Sequence, residues 1–222
     1  MIAAGVVVLV VLSITSHEAA HGFVADRLGD PTARELGRLT LNPIPHIDLL
    51  FTVALPVFLF LSGSPFILGG AKPVPVDVSR LRNPRRDWAL VGLAGPATNL
   101  LIATALAALL SVLRHAGVLA RTSAGTEILT VGMLVNVVLA VFNLVPIPPL
   151  DGSRVVQYFL GGAALRGYRQ LERIGLLAVL LLVLFVPPAR YLLATAVFAG
   201  LWALAATFGV AREVEFVLRH LA

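Results

Sequence analysis

The chain has 222 residues, of which 58% are hydrophobic and 13% are charged, and its mean hydropathy is +0.92. A soluble domain carries roughly 25% charged residues, so this composition excludes an ordinary water-soluble protein. The net charge of +5 does not indicate a nucleic-acid partner, because the arginines lie between apolar runs without interleaved aromatic residues. Since the chain has no cysteine, any metal must be held by His, Asp or Glu.

The first apolar run, residues 2–25, is long enough to cross a bilayer, which takes roughly 20 residues. Residues 1–16 resemble the core of a signal peptide, but they have no basic start and no small-residue cleavage site. Cleavage would also remove or expose the His- and Glu-containing stretch that follows. We therefore expect a first helix that is retained.

Four further runs, residues 88–113, 127–145, 174–186 and 191–208, are predicted to span the membrane. A shorter run, residues 48–61, contains Pro56 and falls short of a bilayer core of roughly 30 Å. We favour a re-entrant segment here over a sixth span. The chain is thus predicted to be an all-α polytopic membrane protein with five to six transmembrane helices.

The distribution of basic residues supports the re-entrant arrangement. It places all but three of the 17 Lys and Arg residues on one side, whereas a sixth span makes the division much less uneven. The three exceptions are Arg114, Arg121 and Arg190. The basic side is predicted to face the cytoplasm, in the plasma membrane of a prokaryote.

Residues His17, Glu18 and His21 form an H-E-x-x-H pattern inside the first apolar helix. The spacing places both imidazoles on one helix face, one turn apart, as two ligands of one tetrahedral ion require. Glu18 lies beside them and is placed to take a proton from the attacking water. The alternative is simple packing between helices, but ionisable groups in a membrane are costly and persist mainly where they function.

A catalytic zinc needs a third protein ligand, and Asp48, Glu127 and Asp151 are the acidic candidates at a suitable depth. Asp151 follows a predicted span, where prolines favour an extended backbone and Gly152 permits a tight turn. An ordinary turn is the alternative interpretation of this stretch. Glu127 fits better as a first-turn acid at the opposite end of its helix.

Together these motifs resemble those of the site-2 proteases, the intramembrane zinc metalloproteases of family M50. That family pairs H-E-x-x-H with a distant N-x-x-P-x-P-x-L-D-G, which here are residues 17–21 and 143–152. Segments 69–76 and 94–99 are also similar to the family. We predict one domain over residues 1–222, with a catalytic core at 1–155 and accessory helices at 156–222. No inserted PDZ or cystathionine-synthase-like domain is expected.

The resemblance implies one zinc ion per chain, held by His17, His21 and Asp151. It implies that Glu18 is the general base and that Asn143 donates a hydrogen bond to the developing oxyanion. The implied reaction is hydrolysis of peptide bonds in transmembrane substrates. The predicted partners are therefore a transmembrane protein substrate and the lipid bilayer.

Substrate binding is implied for a short extended edge, with a structural loop as the alternative. Asn99 is assigned to the substrate site, although it could equally bond a backbone carbonyl or a ligand-bearing side chain. His46 and Asp48 are interpreted as a pair that supports the ligands or gates the site, or as residues that hold the re-entrant turn. The residues of the predicted edge are Gly70, Ala71, Lys72, Pro73 and Val74.

Two other functions use the same ligands. A zinc-transporting membrane protein needs ionisable residues along a path across the bilayer, and here they cluster toward one side. A catalytically inactive membrane scaffold is the second alternative, and the intact Glu18 argues against it. Metal content and substrate cleavage in Glu18→Gln would separate all three functions.

Overall fold

A computed structural model of the chain describes residues 2–54, 58, 61, 62, 70–173, 175, 179, 181 and 185–221. Within these residues all regular structure is helical. Short helical turns occur at Ile44–His46, Leu49–Ala54, Val78–Arg80 and Leu171–Arg173. The α-helices, in chain order, are α1 (Ile2–Arg27), α2 (Thr32–Glu35), α3 (Pro84–His115), α4 (Ala124–Asn143), α5 (Gly152–Phe159), α6 (Gly162–Gln170), α7 (Pro187–Thr207) and α8 (Ala211–Leu221).

Helices α1, α3, α4 and α7 are long and apolar enough to cross a membrane. They coincide with four of the predicted spans, so the all-α membrane architecture is confirmed for the described residues. Most of the predicted span at 174–186 lies outside those residues, as does part of segment 48–61. The total of five or six spans and the re-entrant path therefore stay predictions.

The helix ends follow from local sequence. Helix α3 begins with Pro84 in its first turn, where a missing N–H costs nothing, and Asp87 accepts the Asn83 N–H at 2.8 Å. Helix α4 is capped by the Ser123 side chain, which accepts the Thr126 N–H. These signals start both helices at the membrane ends.

Helix α3 is central and packs against α1, α4 and α5. Away from the predicted site, α3, α4, α7 and α8 share an apolar core. Because lipid tails are as apolar as these side chains, close van der Waals contact rather than exclusion of water stabilises this core. Its buried members are Leu106, Ala107, Leu110, Met133, Leu201, Ala205, Val210 and Val214.

Helix α8 lies at the membrane end where α3 finishes and α4 begins. Its buried Glu213 pairs with Arg114 at 3.1 Å and with Arg121 at 3.5 Å. The predicted spans place Arg212 and Arg219 on the opposite side from Arg114, and the structure shows that this prediction is wrong.

The direction of α7 is the reason for this correction. Gly200 lies against Val137 in the middle of α4, and Ala205 packs in the core with Leu110 near the end of α3. Helix α7 therefore begins at the metal-site end, and Arg190 lies there rather than with Arg114. Only four of the 17 basic residues remain at the α8 end, so the strong charge bias persists.

Candidate metal centre

Three predicted ligands converge on one point. His17 and His21 lie on successive turns of α1, and Asp151 immediately precedes α5. The two Nε2 atoms are 3.1 Å apart, and Asp151 Oδ2 lies 3.1 Å from His17 Nε2 and 3.2 Å from His21 Nε2. All three side chains are buried, and the group could hold a metal ion.

The spacing of these atoms fits zinc. Ligand atoms about 2.0–2.1 Å from a tetrahedral ion lie about 3.3 Å from one another, close to the edges of this triangle. Asp151 Oδ2 is buried and has no hydrogen-bond donor among the described residues. A buried, negatively charged carboxylate is costly without a compensating charge, which a cation between it and the two ring nitrogens would supply. Two imidazoles and one carboxylate are ligands of catalytic zinc, whose fourth coordination position stays open.

Gly95 of α3 leaves room for this centre. A Cβ atom at this position would lie 2.5 Å from both His17 Nε2 and His21 Nε2. No side chain can occupy that position without displacing the imidazoles. The glycine therefore allows α3 to approach the ligands closely while the space between them stays open.

A backbone carbonyl group determines which ring nitrogen of His21 carries the proton. His21 Nδ1 lies 2.6 Å from the Val91 carbonyl oxygen. Because a carbonyl only accepts hydrogen bonds, Nδ1 carries the proton and donates it to Val91. In the neutral ring the Nε2 lone pair is then free for a metal.

A buried chain of hydrogen-bonded side chains begins at two backbone carbonyl groups. Asn136 Nδ2 donates to the Gly132 carbonyl at 2.9 Å and to Ser13 Oγ at 2.8 Å. Ser13 Oγ in turn donates to the Leu9 carbonyl at 2.7 Å. Since both carbonyls only accept, the orientation of the Asn136 amide is determined, with its Oδ1 facing α3.

This chain of hydrogen bonds ends at His17, a predicted metal ligand. Asn136 Oδ1 accepts from Asn99 Nδ2 at 2.9 Å, so Asn99 Oδ1 faces His17 Nδ1 at 2.6 Å. His17 Nδ1 must then be the donor, which leaves its Nε2 lone pair for the metal. Asn99 thus bonds a ligand-bearing side chain, one of the alternatives given above, and its predicted contact with substrate stays a prediction.

Asn136 and Ser13 are absent from the sequence-based site. Both are buried, with Asn136 fully inaccessible and Ser13 2% exposed. A polar amide inside an apolar membrane helix is a signal that could have found Asn136. The serine hydroxyl carries no such signal, because a serine can also bond its own helix backbone.

Arg154 and Trp88 support the third ligand. Arg154 Nη1 lies 3.3 Å from Asp151 Oδ1, and its guanidinium stacks 4.5 Å from the Trp88 ring centroid. Burial raises the pKa of the Asp151 carboxyl, but the adjacent imidazoles and Arg154 together lower it, and the net pKa is below the ordinary value. The carboxyl is therefore ionised, as a metal ligand must be.

The predicted general base contacts the predicted substrate edge. Glu18 follows His17 on α1, and its Oε2 accepts the Val74 N–H at 2.9 Å. No hydrogen-bond partner of Oε1 is found among the described residues. A backbone peptide of segment 70–74 thus orients the carboxylate and leaves one oxygen available.

Segment 70–74 has no helical structure and is held by buried groups. The Lys72 N–H donates to the His46 carbonyl at 2.8 Å, and Arg38 donates to the Lys72 carbonyl at 2.7 Å. Thr52 donates to the Gly70 carbonyl at 2.6 Å. No partner for either backbone group of Ala71 occurs in the described part of the chain.

An apolar cavity of about 450 Å³ adjoins this segment. Gly70 and Ala71 line it on one side, and Val10, Val11 and Ile14 of α1 line it on another. Ala71, whose backbone has no partner among the described residues, therefore lines a mainly apolar space beside α1.

His46 supports the edge instead of bonding a metal ligand. Its buried ring donates from Nε2 to the Thr40 carbonyl at 3.0 Å and accepts from Arg38 at 3.5 Å. The Asp48 N–H donates to Thr52 Oγ1.

At the end of α4, Asn143 Nδ2 donates to the Leu139 carbonyl at 2.9 Å.

Comparisons with known proteins agree with this chemistry. A sequence model described as "Peptidase family M50" matches residues 112–186. The chain is 39% identical over 186 residues to "Putative zinc metalloprotease YwhC" of Bacillus subtilis, which covers 82% of this chain and 80% of that protein. It is 33% identical over 189 residues to "Putative zinc metalloprotease Rip2" of Mycolicibacterium smegmatis, with 83% and 69% covered. No solved structure matches the chain.

Proposed function

The chain belongs to peptidase family M50, and from that membership we propose that it is a zinc protease that cleaves membrane-embedded proteins. The observation that carries the proposal is the buried triangle of His17 Nε2, His21 Nε2 and Asp151 Oδ2, with edges of 3.1–3.2 Å. These three residues would hold the ion. When bound, zinc polarises a carbonyl and lowers the pKa of water toward neutrality.

Glu18 acts as the general base in this proposal. The Val74 N–H holds Oε2, and Oε1 accepts a proton from the attacking water. Glu18 then delivers that proton to the departing amine. Because the carboxylate is already oriented, it pays no further ordering cost during the reaction.

The ring orientations of the ligands serve the same chemistry. The Val91 carbonyl sets the proton on His21, and the amides of Asn99 and Asn136 set the proton on His17. Both Nε2 lone pairs therefore point into the centre before any ion arrives. Such outer partners typically contribute 10–100-fold to metal affinity.

Substrate is proposed to pair with segment 70–74 in an extended conformation. Ala71 offers an N–H and a carbonyl without partners among the described residues, and the adjoining cavity has apolar walls. An unwound stretch of a transmembrane helix has both free backbone groups and apolar side chains, so it suits this surface. Pro73 limits the number of hydrogen bonds that the edge can donate.

Asn143 is proposed as the donor to the oxyanion. One of its two amide N–H groups bonds the Leu139 carbonyl, which leaves the second available for substrate. A preorganised donor of this kind can lower the barrier by about 3 kcal/mol.

The metal-centre end is proposed to face the cytoplasm of a prokaryotic cell. With Arg190 at the metal-centre end and with Arg212 and Arg219 at the α8 end, all but four of the 17 basic residues lie at the metal-centre end. Such asymmetry is typical of the cytoplasmic side.

Glu18→Gln tests the proposed mechanism. The variant and the wild type would be reconstituted into vesicles with a panel of single-span reporter proteins, and cleavage and zinc content would be measured. We expect zinc at full stoichiometry and cleavage reduced by about 10²–10⁴-fold, because the amide cannot accept the proton. The exposed Glu172, changed to Gln, is the matched control and should cleave normally.

Full cleavage by Glu18→Gln would show that another group is the base. Zinc uptake into vesicles by both proteins, without cleavage, would instead indicate transport. Transport is disfavoured because no ionisable side chain is buried among the described residues of α3, α4 and α7 between Asn99 and the Glu213 ion pairs.

A further inference from the structure

A basic cavity lies at the membrane end opposite the metal centre. It has a volume of about 430 Å³, and its lining includes Arg114, Arg121, Arg212 and Glu213. Glu213 Oε1 forms ion pairs with both Arg114 and Arg121. Arg212 is exposed, and it has no partner among the described residues. The cavity is therefore lined by three guanidinium groups and one carboxylate, which leaves two positive charges without a counter-charge there.

The first turn of α8 adds backbone donors to this cavity. The N–H groups of Glu213 and Val214 both bond the Val210 carbonyl, which leaves those of Ala211 and Arg212 as the unpaired donors of the first turn. The helix has 11 residues, and the partial positive charge at its N-terminus favours an anion. The arginines and the N-terminus of α8 therefore both favour a negatively charged ligand.

An apolar stripe leads away from the cavity along α7. Ala206 lines the cavity, and Trp202 and Phe198 precede it by one and two turns on the same helix face. Trp202 is 38% exposed and Phe198 is 47% exposed, although α7 is long and apolar enough to span a membrane. A ligand with an anionic head and an apolar tail would contact both the cavity and the stripe.

We propose that this cavity binds the phosphodiester headgroup of an anionic phospholipid, with an acyl chain along Trp202 and Phe198. Arg121 and Arg212 donate to the phosphate oxygens through their planar guanidinium groups. A zwitterionic lipid binds less well, because Glu213 is already paired and no other carboxylate lines the cavity to receive an ammonium group.

The distribution of charge supports a dedicated site. Basic residues are few at this end of the bundle, and the four that are present surround α8. Arg121 and Arg212 also line an adjoining cavity of about 340 Å³, together with Arg219, which pairs with Glu215. Arg114, Arg121 and Arg212 therefore line one cavity with the single carboxylate of Glu213, and Arg219 has its own counter-charge.

The test measures lipid binding to the whole chain after delipidation in neutral detergent. Native mass spectrometry would follow titrations with palmitoyl-oleoyl phosphatidylglycerol and with the corresponding phosphatidylcholine. We expect phosphatidylglycerol to bind at least about tenfold more tightly, since each arginine near a lipid surface contributes about a fivefold gain. Arg212→Gln should lose about fivefold, and the double variant Arg121→Gln/Arg212→Gln should bind both lipids equally.

Arg166→Gln is the matched control, because Arg166 is an exposed arginine on α6 at the other end of the bundle. It should bind phosphatidylglycerol as the wild type does. Equal affinity of the wild type for both lipids, or an equal loss in Arg166→Gln and Arg212→Gln, would overturn the proposal. Displacement of phosphatidylglycerol by millimolar inorganic phosphate, but not by chloride of equal ionic strength, would show a free-phosphate site and would also overturn it.

Discussion

At the metal-centre end, helices α1, α3 and α4 are joined by buried polar side chains such as His17, Asn99 and Asn136, each bonded to the next. At the α8 end, α3 and α4 are joined by apolar side chains such as Leu110 and Met133, both fully buried. The same helices are therefore held together by two different kinds of contact along their length.

The difference matters because the surrounding solvent is lipid. Apolar side chains can exchange helix neighbours for lipid tails at modest cost, so contacts at the α8 end contribute in a graded way. A polar group that loses its partner in the same environment is left unsatisfied, which costs far more. We expect substitutions in the buried polar chain at the metal-centre end to change metal binding, and substitutions in the apolar core at the α8 end to change stability without changing zinc affinity.

The largest effect is expected from Gly95→Ala. The added methyl group would lie 2.5 Å from both ligand Nε2 atoms and would displace them. Zinc affinity should fall by more than about a hundredfold, beyond the usual loss of an outer partner. A competition titration with a chromophoric chelator measures this.

Gly132→Ala is the matched control for that substitution. It makes the same change in α4, where the new methyl group meets only the ends of the Leu9 and Leu106 side chains at 2.8 and 3.0 Å. These side chains can shift, so zinc affinity should stay within about twofold of the wild-type value. A similar loss in both variants would mean that Gly95 affects folding instead of the space at the centre.

The next effect is expected from Asn99→Leu, which keeps the approximate volume but removes the acceptor for His17 Nδ1–H. Zinc affinity should fall by about 10–100-fold, because the His17 ring loses its orientation. Asn136→Leu should cause a smaller loss, since Asn99 can still bond His17 but is free to rotate its amide.

The order of these two losses is the informative result. Cobalt substitution would report ligand geometry through its absorption spectrum, independently of cleavage. If Asn136→Leu weakened zinc binding more than Asn99→Leu, the amide chain would not act through His17.

Leu110→Ala should have a smaller effect and should act on stability. Removal of this fully buried side chain should lower the free energy of unfolding by about 2 kcal/mol, the low end of the range, because lipid offers similar contacts. Zinc affinity of the folded protein should not change. Unfolding in mixed micelles measures the first quantity, and any parallel change in zinc affinity would remove the distinction between the two ends.

The smallest effect is expected from Val74→Pro, which removes the N–H that holds Glu18. We expect kcat to fall by about tenfold with zinc stoichiometry intact, in line with a misplaced proton acceptor. Ala71→Pro removes the N–H that is proposed to pair with substrate, so it should raise KM but leave kcat and the orientation of Glu18 unchanged. Equal kcat values in the two variants would show that the Val74 contact does not position the base.

Much of the fold could be predicted because it depends on local composition. The spans that became α1, α3, α4 and α7 are apolar runs of the length that a bilayer requires. The side of α8 could not be predicted, because hydropathy identifies residues 174–186 as a span and therefore places the start of the following helix at the opposite end. The pairing of Glu213 with Arg114 and Arg121 decided it.

The sequence by itself predicted the set of candidate ligands, since His17 and His21 share a helix face through spacing alone and Asp151 belongs to a recognisable motif. Only the tertiary structure decided that Gly95 and Asn99 of α3 lie against the two histidines and that Asn136 of α4 bonds Asn99 in turn. The physical reason is that hydropathy specifies that a helix crosses the membrane, but not its rotation about its own axis. That rotation is set by the packing of one helix against another.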